Sequence, residues 1–355
     1  MKIAFRVDAS TQIGSGHVAR CLTLAEVLRE GGAETVFICR EHPGHLCSLV
    51  ESRGHRVVPL SLSGEAFHDQ WNDHASWLGA DRLQDAQETE AALVAAVGPF
   101  DWLVVDHYAI DREWETRLRG AVERVAVIDD LADRSHDCDL LLDQNLYHAM
   151  ESRYEGLLPA HCVQLLGPKY ALLRPEFVQQ RDRLHRRDGR VRRILVFFGG
   201  CDAGNETKKA LEAIQAGGLG DIAVDVVAGA GNPHLREIES LCRTLPQTRF
   251  HCQVSNMAEL MAAADLSLGA GGTSTWERCA LGLPSLVVAV ARNQEDLASC
   301  GAEQGLFFYL GISEVVTVER MRDALRVFSK SSESLHAFSA RSLAAVDGQG
   351  ARRVA

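Results

Sequence analysis

The chain has 355 residues, of which 46% are hydrophobic and 24% are charged, and its net charge is −11 at pH 7. This length exceeds what a single hydrophobic core usually serves, so we expect two domains. The acidic balance argues against a broad nucleic-acid or anionic-membrane surface, because such surfaces need basic patches.

Other compositional features predict a cytoplasmic protein without a metal site. No apolar run is long enough to span a bilayer, and the N-terminus enters a strand without a signal-peptide pattern. The ten cysteines are scattered and form no C-x-x-C pair, which is typical of reduced thiols. His42, His45 and Cys47 surround a Pro-Gly turn and lack a second ligand pair, so no metal or other cofactor is expected.

The first half alternates apolar strands with amphipathic helices, which indicates a parallel sheet covered by helices. Residues 61–80 are mixed in composition and are predicted as a loop. The predicted strands are Lys2–Val7, Thr35–Cys39, Val57–Leu60, Trp102–Val105, Arg124–Ile128 and Asp139–Leu142, and the predicted helices are His17–Glu30, His45–Ser52, Gln84–Val97 and Trp114–Gly120.

The loop Gly14-Ser15-Gly16-His17 lies between the first strand and the first helix. Its glycines allow backbone to approach a ligand closely, and a helix start attracts an anion such as a phosphate. A histidine beside a bound phosphate ester is a candidate general base. Asp8, at the end of the first strand, is close in sequence and is expected to orient the His17 ring. An ordinary turn, or a dinucleotide loop of the G-x-G-x-x-A type, is an open alternative.

A second polar cluster, Asp106-His107-Tyr108, follows the clearest buried strand of this half. Ligands of open parallel sheets bind beyond the carboxyl ends of the strands, where the first loop also lies. The alternative is a turn whose aspartate caps the next helix. Two later strands also end in polar clusters, which favours a cleft at this edge; these are Asp129-Asp130 and Asp143-Gln144-Asn145.

The composition changes near Arg174. Residues 174–193 contain eight arginines, which is more typical of a solvated connection than of a nucleic-acid-binding arm. We therefore predict an N-terminal domain over 1–175, a charged linker over 176–193 and a C-terminal domain over 194–355.

The second half repeats the alternation of strands and helices. Its predicted strands are Ile194–Phe198, Ile222–Val227, Phe250–Val254 and Leu266–Leu268, and its predicted helices include Leu235–Leu245, Met257–Ala263 and a terminal helix, Glu319–Ala345, placed to cross back over the domains. Together the two halves predict an α/β protein with two doubly wound, Rossmann-like domains that face each other across a cleft.

A second glycine-rich loop opens the helix after strand Leu266–Leu268. Its residues are Gly271, Gly272, Thr273 and Ser274. Backbone amides and hydroxyls in such a loop suit a diphosphate. Glu277 lies about one helical turn further on, where an acid can accept hydrogen bonds from a ribose. The alternative is a capping box that Glu277 forms with Ser274.

Seven stretches carry a resemblance that covers the chain from the first loop to Gln294. They are Gly14-Ser15-Gly16-His17, Asp106-His107-Tyr108, Asp143-Gln144-Asn145, Gly167-Pro168-Lys169-Tyr170-Ala171-Leu172-Leu173-Arg174, Phe198-Gly199-Gly200, the segment from Gly271 to Glu277, and Arg292-Asn293-Gln294. In this order and combination they resemble the GT-B group of nucleotide-sugar enzymes. Within that group they look most like the UDP-sugar hydrolases of bacterial pseudaminic acid synthesis.

The resemblance implies hydrolysis of UDP-2,4-diacetamido-2,4,6-trideoxy-β-L-altrose to UDP and the free sugar, with water attacking the anomeric carbon with inversion. It implies that His17 is the base and that Tyr108 lies near the sugar. The implied UDP contacts are Gly14, Gly16, Met257, Gly271, Gly272, Thr273, Ser274 and Glu277, and the implied sugar contacts are Asp106, Asn293 and Gln294. Cys201 stands where another small residue is expected. The UDP-sugar is the expected partner of a monomer that binds neither nucleic acid nor membrane.

Other functions are open. A glycosyltransferase or a hydrolysing 2-epimerase would share the fold and the nucleotide, although a transferase for lipid-linked acceptors should carry an apolar or basic membrane patch. An NAD-dependent oxidoreductase would need an acid at the end of the second strand, where Arg40-Glu41 is a poor match. A nucleotide-sugar binding protein without turnover is disfavoured by His17 beside the first loop.

Overall fold

The computed structural model describes residues 1–62 and 74–355. They form two compact units, the first comprising Met1–Asn145, Ala149–Leu172 and Gly350–Ala355, and the second comprising Leu146–His148 and Leu173–Gln349. Most of the predicted loop at 61–80 lies outside the described residues, and its last part is a short 3₁₀ helix, His74–Leu78.

The first unit contains a parallel sheet of seven strands in the order β3-β2-β1-β4-β5-β6-β7. The strands are β1 (Lys2–Val7), β2 (Glu34–Arg40), β3 (Arg56–Leu60), β4 (Phe100–Asp106), β5 (Val122–Ile128), β6 (Leu140–Asp143) and β7 (Val163–Leu166). The helices are α1 (Gly16–Glu30), α2 (Cys47–Ser52), α3 (Arg82–Ala95), α4 (Arg112–Leu118) and the terminal α13 (Gly350–Val354), with 3₁₀ helices at Met150–Ser152 and Pro168–Tyr170.

Strand β1 shows why the sheet is buried on both faces. Ile3, Phe5 and Val7 belong to one hydrophobic core, whereas Ala4 belongs to another. Successive side chains of a strand point to opposite faces, so the two cores lie on the two sides of the sheet. This arrangement explains the run of buried residues in β1, which is typical of parallel strands covered by helices. The one charged side chain in that run, Arg6, pairs with Asp8 and Asp85.

The second unit contains a parallel sheet of six strands in the order β10-β9-β8-β11-β12-β13. The strands are β8 (Arg193–Phe197), β9 (Ala223–Ala228), β10 (Thr248–Cys252), β11 (Leu266–Ala270), β12 (Ser285–Ala289) and β13 (Phe308–Ile312). The helices are α5 (Pro175–Asp182), α6 (Glu206–Ala216), α7 (Leu235–Thr244), α8 (Met257–Ala263), α9 (Ser274–Ala280), α10 (Glu295–Glu303), α11 (Val318–Phe328) and α12 (Ser332–Ala345), with a 3₁₀ helix at Arg292–Gln294.

Two Rossmann-like folds of the predicted kind are therefore present. The single terminal helix predicted over Glu319–Ala345 is wrong, because α11 ends at Phe328 and α12 begins at Ser332. The chain between them is Ser-Lys-Ser, and serine competes for backbone hydrogen bonds in a way that favours helix ends over helix interiors. None of the helices in the described part of the chain is long and apolar enough to cross a membrane.

The arginine-rich segment predicted as a linker packs on the second unit. Its guanidinium groups donate hydrogen bonds to backbone carbonyls at the C-terminal ends of three helices. Arg181 donates to the carbonyls of Ala280, Leu343 and Val346 at 2.6–2.9 Å. Arg187 donates in the same way at the ends of α8 and α9. These contacts complement the negative ends of the helices and satisfy carbonyls without an intrahelical partner.

Each sheet has one position where the strand order reverses. In the first unit it lies between β1 and β4, and in the second it lies between β8 and β11. Ligands of open α/β sheets bind beyond the carboxyl ends of the strands at such positions. The loops after β1, β4 and β11 contain most of the site residues that the sequence predicts.

Candidate functional site

The loop after β1 is shaped by its own hydrogen bonds. The Gly14 amide donates to the Ser10 carbonyl at 2.9 Å, and the Ser10 hydroxyl accepts from the amides of Gln12 and Ile13. Gly14 has φ of +79°, which side chains rarely adopt. Its amide is therefore used inside the loop, so its predicted UDP contact cannot come from that group. Gly16 begins α1, and a Cβ there would meet no atom within 4 Å.

The His17 side chain contacts a buried carboxylate. Its Nδ1 lies 2.6 Å from Oδ1 of Asp106, the last residue of β4. Arg20 lies one turn further along α1. Its Nε and Nη2 donate to the two oxygens of the same carboxylate, each at 2.6 Å. Asp106 is fully buried, and 10% of the His17 side chain is exposed. The three side chains form a preorganised group at the switch point of the sheet.

The charge state of Asp106 follows from its neighbours. Burial opposes its ionisation, but the charges of Arg20 and His17 outweigh burial and hold the pKa of Asp106 well below its usual range. An ionised carboxylate only accepts hydrogen bonds, so Nδ1 of His17 carries the proton. The lone pair of Nε2 is then free to take a proton from another molecule.

Two expectations about this group change. Both oxygens of Asp106 are occupied by Arg20 and His17, so the geometry places Asp106 behind the histidine rather than against a sugar. Asp8, which chain position suggested as a partner of His17, instead contacts Arg6 at 2.7 Å and the Arg40 amide at 2.6 Å. The strand pairing brings β4 beside β1, which sequence proximity does not reveal.

Tyr108 packs against the same histidine. The two rings meet edge to face with centroids 4.7 Å apart. The Tyr108 hydroxyl donates to Oδ1 of Asp130 at 2.6 Å, and Nδ2 of Asn145 donates to the other oxygen at 2.8 Å. Burial first, and then the charge of Asp130, raise the pKa of Tyr108 well above its usual value. Tyr108 is therefore a neutral hydrogen-bond donor that limits the movement of the His17 ring.

The glycine-rich loop after β11 forms the second group. Gln294 lies over it, since a Cβ added at Gly271 or Gly272 would come within 3.4–3.5 Å of the Gln294 side chain. The Gln294 Oε1 accepts from the Val290 amide at 3.0 Å. This contact fixes the Gln294 side chain over the loop.

The remaining predicted residues of the second unit lie at the same edge of its sheet. Met257 is the first residue of α8 and is buried, whereas Thr273 and Asn293 are exposed. Thr273 precedes α9, and its side chain makes no capping hydrogen bond. The exposed Cys201 follows β8, and its Sγ lies 3.9 Å from the Gly231 carbonyl.

Glu277 contacts Arg174 in this structure. Its Oε1 lies 3.4 Å from Nη2 of Arg174, which also pairs with Glu176 at 2.8 Å. Burial raises the pKa of Glu277, and the charge of Arg174 opposes that rise. Because 16% of its side chain is exposed, the carboxylate can still accept a hydrogen bond from a ligand.

Four contributing residues were given no role of their own from the sequence, although Asp130 and Arg174 lie in segments named above: Arg20, Asp130, Arg174 and Arg278. Arg20 had a detectable signal, because residues three apart on a helix share a face and it follows His17 at that spacing. The other three depend on contacts that only the fold creates. Among residues 1–62 and 74–355, no group of three His, Cys, Asp or Glu side chains is arranged to hold a metal ion.

Comparison with known proteins confirms the resemblance that the motifs predict. The chain is 26% identical over 307 residues to the UDP-2,4-diacetamido-2,4,6-trideoxy-β-L-altropyranose hydrolase of Campylobacter jejuni, covering 86% of this chain and 97% of that protein. It is 34% identical over 157 residues to the spore coat polysaccharide biosynthesis protein SpsG of Bacillus subtilis, covering 44% and 46% of the two chains. No family model matches the chain.

Solved structures show the same fold at low sequence identity. MurG of Acinetobacter baumannii matches with a TM-score of 0.65 at 13% identity, over 99% of this chain and 97% of that one. MnaA of S. aureus, solved with UDP, matches with a TM-score of 0.64 at 13% identity, over 99% and 94%. The two Rossmann-like units are those of the GT-B fold.

Proposed function

We propose that this protein hydrolyses UDP-2,4-diacetamido-2,4,6-trideoxy-β-L-altrose to UDP and the free sugar. The observation that carries the proposal is the pairing of His17 with buried, ionised Asp106, which leaves Nε2 as a base. The substrate is proposed from the similarity to the C. jejuni hydrolase, which extends over 86% of the chain.

In the proposed reaction, Nε2 of His17 removes a proton from water as the water oxygen attacks the anomeric carbon. The bond between that carbon and the diphosphate oxygen breaks, and UDP leaves with the electron pair. Attack from the face opposite UDP inverts the anomeric centre. Asp106 stabilises the imidazolium that forms, as a buried carboxylate does in other histidine-based sites. Tyr108 keeps the ring in place and lies near the sugar in this proposal.

The nucleotide is proposed to bind the second unit. Amides and hydroxyls of residues 271–274 would hold the diphosphate, and such donors stabilise the negative charge that develops as UDP leaves. Glu277 would accept from the ribose, and backbone near Met257 would bind the uracil. Asn293 is exposed and is proposed to contact the sugar, whereas the side-chain oxygen of Gln294 is already used within the loop.

The oxidoreductase alternative is not favoured by the end of β2. An NAD enzyme places an acid there to bind the ribose. Arg40 occupies this position, is fully buried, and pairs with Asp85 at 2.7 Å and with Glu88 at 2.6 Å. A buried cation held by two carboxylates leaves no acceptor for a ribose at that point.

The proposal is tested by measuring UDP release from a panel of UDP-linked diacetamido and monoacetamido sugars, with and without EDTA, while NMR follows the sugar. We expect release from the altrose derivative without an acceptor, with C2 unchanged and no effect of chelation. His17→Asn protein is the matched control for contaminating hydrolase. Release that needs an acceptor would indicate a glycosyltransferase, and a changed configuration at C2 would indicate a 2-epimerase.

A further inference from the structure

Arg278 is a buried guanidinium directly beneath the glycine-rich loop of the second unit. Only 1% of the residue is exposed. Its Nη2 donates to the Ala270 carbonyl at 2.7 Å and to Oγ1 of Thr275 at 3.0 Å, and its Nη1 donates to Oγ of Ser274 at 3.1 Å. The side chain therefore links the end of β11 to the first residues of α9.

This cation has no carboxylate in contact with it in the part of the chain that the structure describes, although the charge of the neighbouring Glu277 opposes the effect of burial on its pKa. Arg278 forms no salt bridge there, and the adjacent Glu277 contacts Arg174 instead. The Nε of Arg278 is buried and has no hydrogen-bond partner. Burial lowers the pKa of Arg278 to about 10, so the group stays positively charged at neutral pH. Burying a charge without a counter-charge is unfavourable.

A glycine in strand β11 leaves room for the guanidinium. A Cβ at Gly269 would lie 2.8 Å from Nη1 of Arg278 and 2.6 Å from the Phe197 carbonyl oxygen. A side chain at Gly269 would therefore collide with both, so the glycine accommodates the arginine where β11 meets β8. The backbone at this edge of the sheet therefore accommodates the buried cation.

We propose that Arg278 supplies the buried counter-charge for the diphosphate of the bound nucleotide and acts through the hydroxyl of Ser274. The inference rests on the proposed UDP site. In this proposal the loop at residues 271–274 selects ligands that carry a diphosphate. Because the Ser274 oxygen accepts from Nη1, its own proton is available to a phosphate oxygen. A hydroxyl polarised by a guanidinium is a stronger donor, and the charge favours a polyanion over a neutral nucleoside. Arg278 is thus a positioning residue.

Arg187 provides a matched control in the same unit. It also forms no salt bridge among the described residues, and burial lowers its pKa to about 10. Its guanidinium nevertheless donates to five carbonyls at 2.8–3.4 Å, those of Met261, Ala262, Ala264, Leu281 and Gly282. An arginine side chain has five N–H donors. Arg187 is therefore satisfied without any ligand, whereas Arg278 is not.

The test is calorimetric titration of the wild type and of Arg278→Met, Arg278→Lys and Arg187→Met with UDP, UMP, uridine and inorganic pyrophosphate. We expect Arg278→Met to weaken UDP and pyrophosphate binding by about tenfold or more and to change uridine binding by less than about twofold. Arg278→Lys should recover part of the loss. Arg187→Met should lower the melting temperature and leave the ratio of UDP to uridine affinity unchanged.

Two further results separate the possible failures. If Arg278→Met does not fold, Ser274→Ala must show the same selective loss of UDP, and an unchanged UDP affinity in Ser274→Ala overturns the inference. Equal weakening of UDP and uridine in Arg278→Met also overturns it. Wild-type protein that binds pyrophosphate in an Arg278-dependent way but does not bind UDP would support the anion role and refute the proposed function.

Discussion

The two switch-point regions of this protein differ in how their charges are balanced. In the first unit, Asp106 neutralises Arg20 and orients His17, and Asp130 receives hydrogen bonds from Tyr108 and Asn145. In the second unit, a loop of glycines and hydroxyls covers a guanidinium that forms no salt bridge among the described residues. The buried arginine of the first region is therefore paired with a carboxylate, and that of the second region is not.

This difference suggests a division of labour. Groups that perform chemistry are most effective when the protein holds them in place before the substrate arrives. A binding loop gains affinity when the ligand supplies a missing counter-charge. Substitutions in the first unit should therefore change turnover, and substitutions in the second unit should change nucleotide affinity. The following predictions test that separation.

The largest effect is expected for His17→Asn. Loss of the general base should lower kcat by roughly 10²- to 10⁴-fold, which is the range for removal of an acid–base group. UDP affinity should stay unchanged, because Nε2 of His17 takes part in proton transfer rather than nucleotide binding. Steady-state kinetics and UDP titration measure the two quantities, and the exposed His185→Asn serves as the control. A parallel loss of UDP affinity would contradict the separation.

Asp106→Asn should lower kcat by about 10- to 100-fold with little change in KM. The amide of asparagine can donate to Nδ1, which would move the histidine proton to Nε2 and block the base. This experiment also decides between two roles for Asp106. A raised KM with unchanged kcat would indicate direct sugar contact, the role expected from the sequence.

How much of this could be predicted from sequence depends on the range of the interaction. The apolar strands β1, β4, β8 and β11 and the loops after them follow from local patterns, because buried parallel strands are continuous apolar runs. The strands β7, β12 and β13 were missed, although β6 and β8 are equally short and were predicted. Strands β7 and β13 lie at the edges of their sheets and are mostly not buried, so they lack the continuous apolar run of a central strand. Short apolar runs cannot be separated from buried helix segments by periodicity.

The site shows the same limit. His17 and residues 271–274 stand out because glycine and a functional side chain share one loop. The partner of His17 comes from β4, 89 residues away in sequence, and the lack of a salt bridge to Arg278 among the described residues depends on where the nearby acids lie. Charge balance is a property of the folded neighbourhood, so neither fact was available from composition or spacing.

Glu277→Gln should weaken UDP binding by about tenfold, because a carboxylate accepts the ribose hydrogen bonds more strongly than an amide does. Burial raises the pKa of Glu277, so its proton is taken up at a higher pH than in the unfolded chain. Wild-type UDP affinity should therefore fall as the pH is lowered and Glu277 takes up its proton, whereas Glu277→Gln should lose that component. Calorimetric titration at a series of pH values, with the exposed Glu333→Gln as control, checks the prediction.

The smallest effect on activity is expected for Asp143, whose substitution should change the stability of the fold. Burial, followed by the charge of Asp130, raises the pKa of Asp143 to about 7, although Arg153 lies 3.2 Å from its Oδ2. The unfolded value is about 3.9. Between these values the native state binds more protons than the unfolded state, so this group lowers stability as pH rises toward 7.

Asp143→Asn removes that titration while its side-chain oxygen can still accept from the Asn145 amide, which lies 2.9 Å from Oδ1 in the wild type. Relative to the wild type, the variant should gain about 2–3 kcal/mol of unfolding free energy between about pH 5 and about pH 8. Urea denaturation at the two pH values measures the change. A constant difference would mean that Asp143 is already ionised at the lower pH.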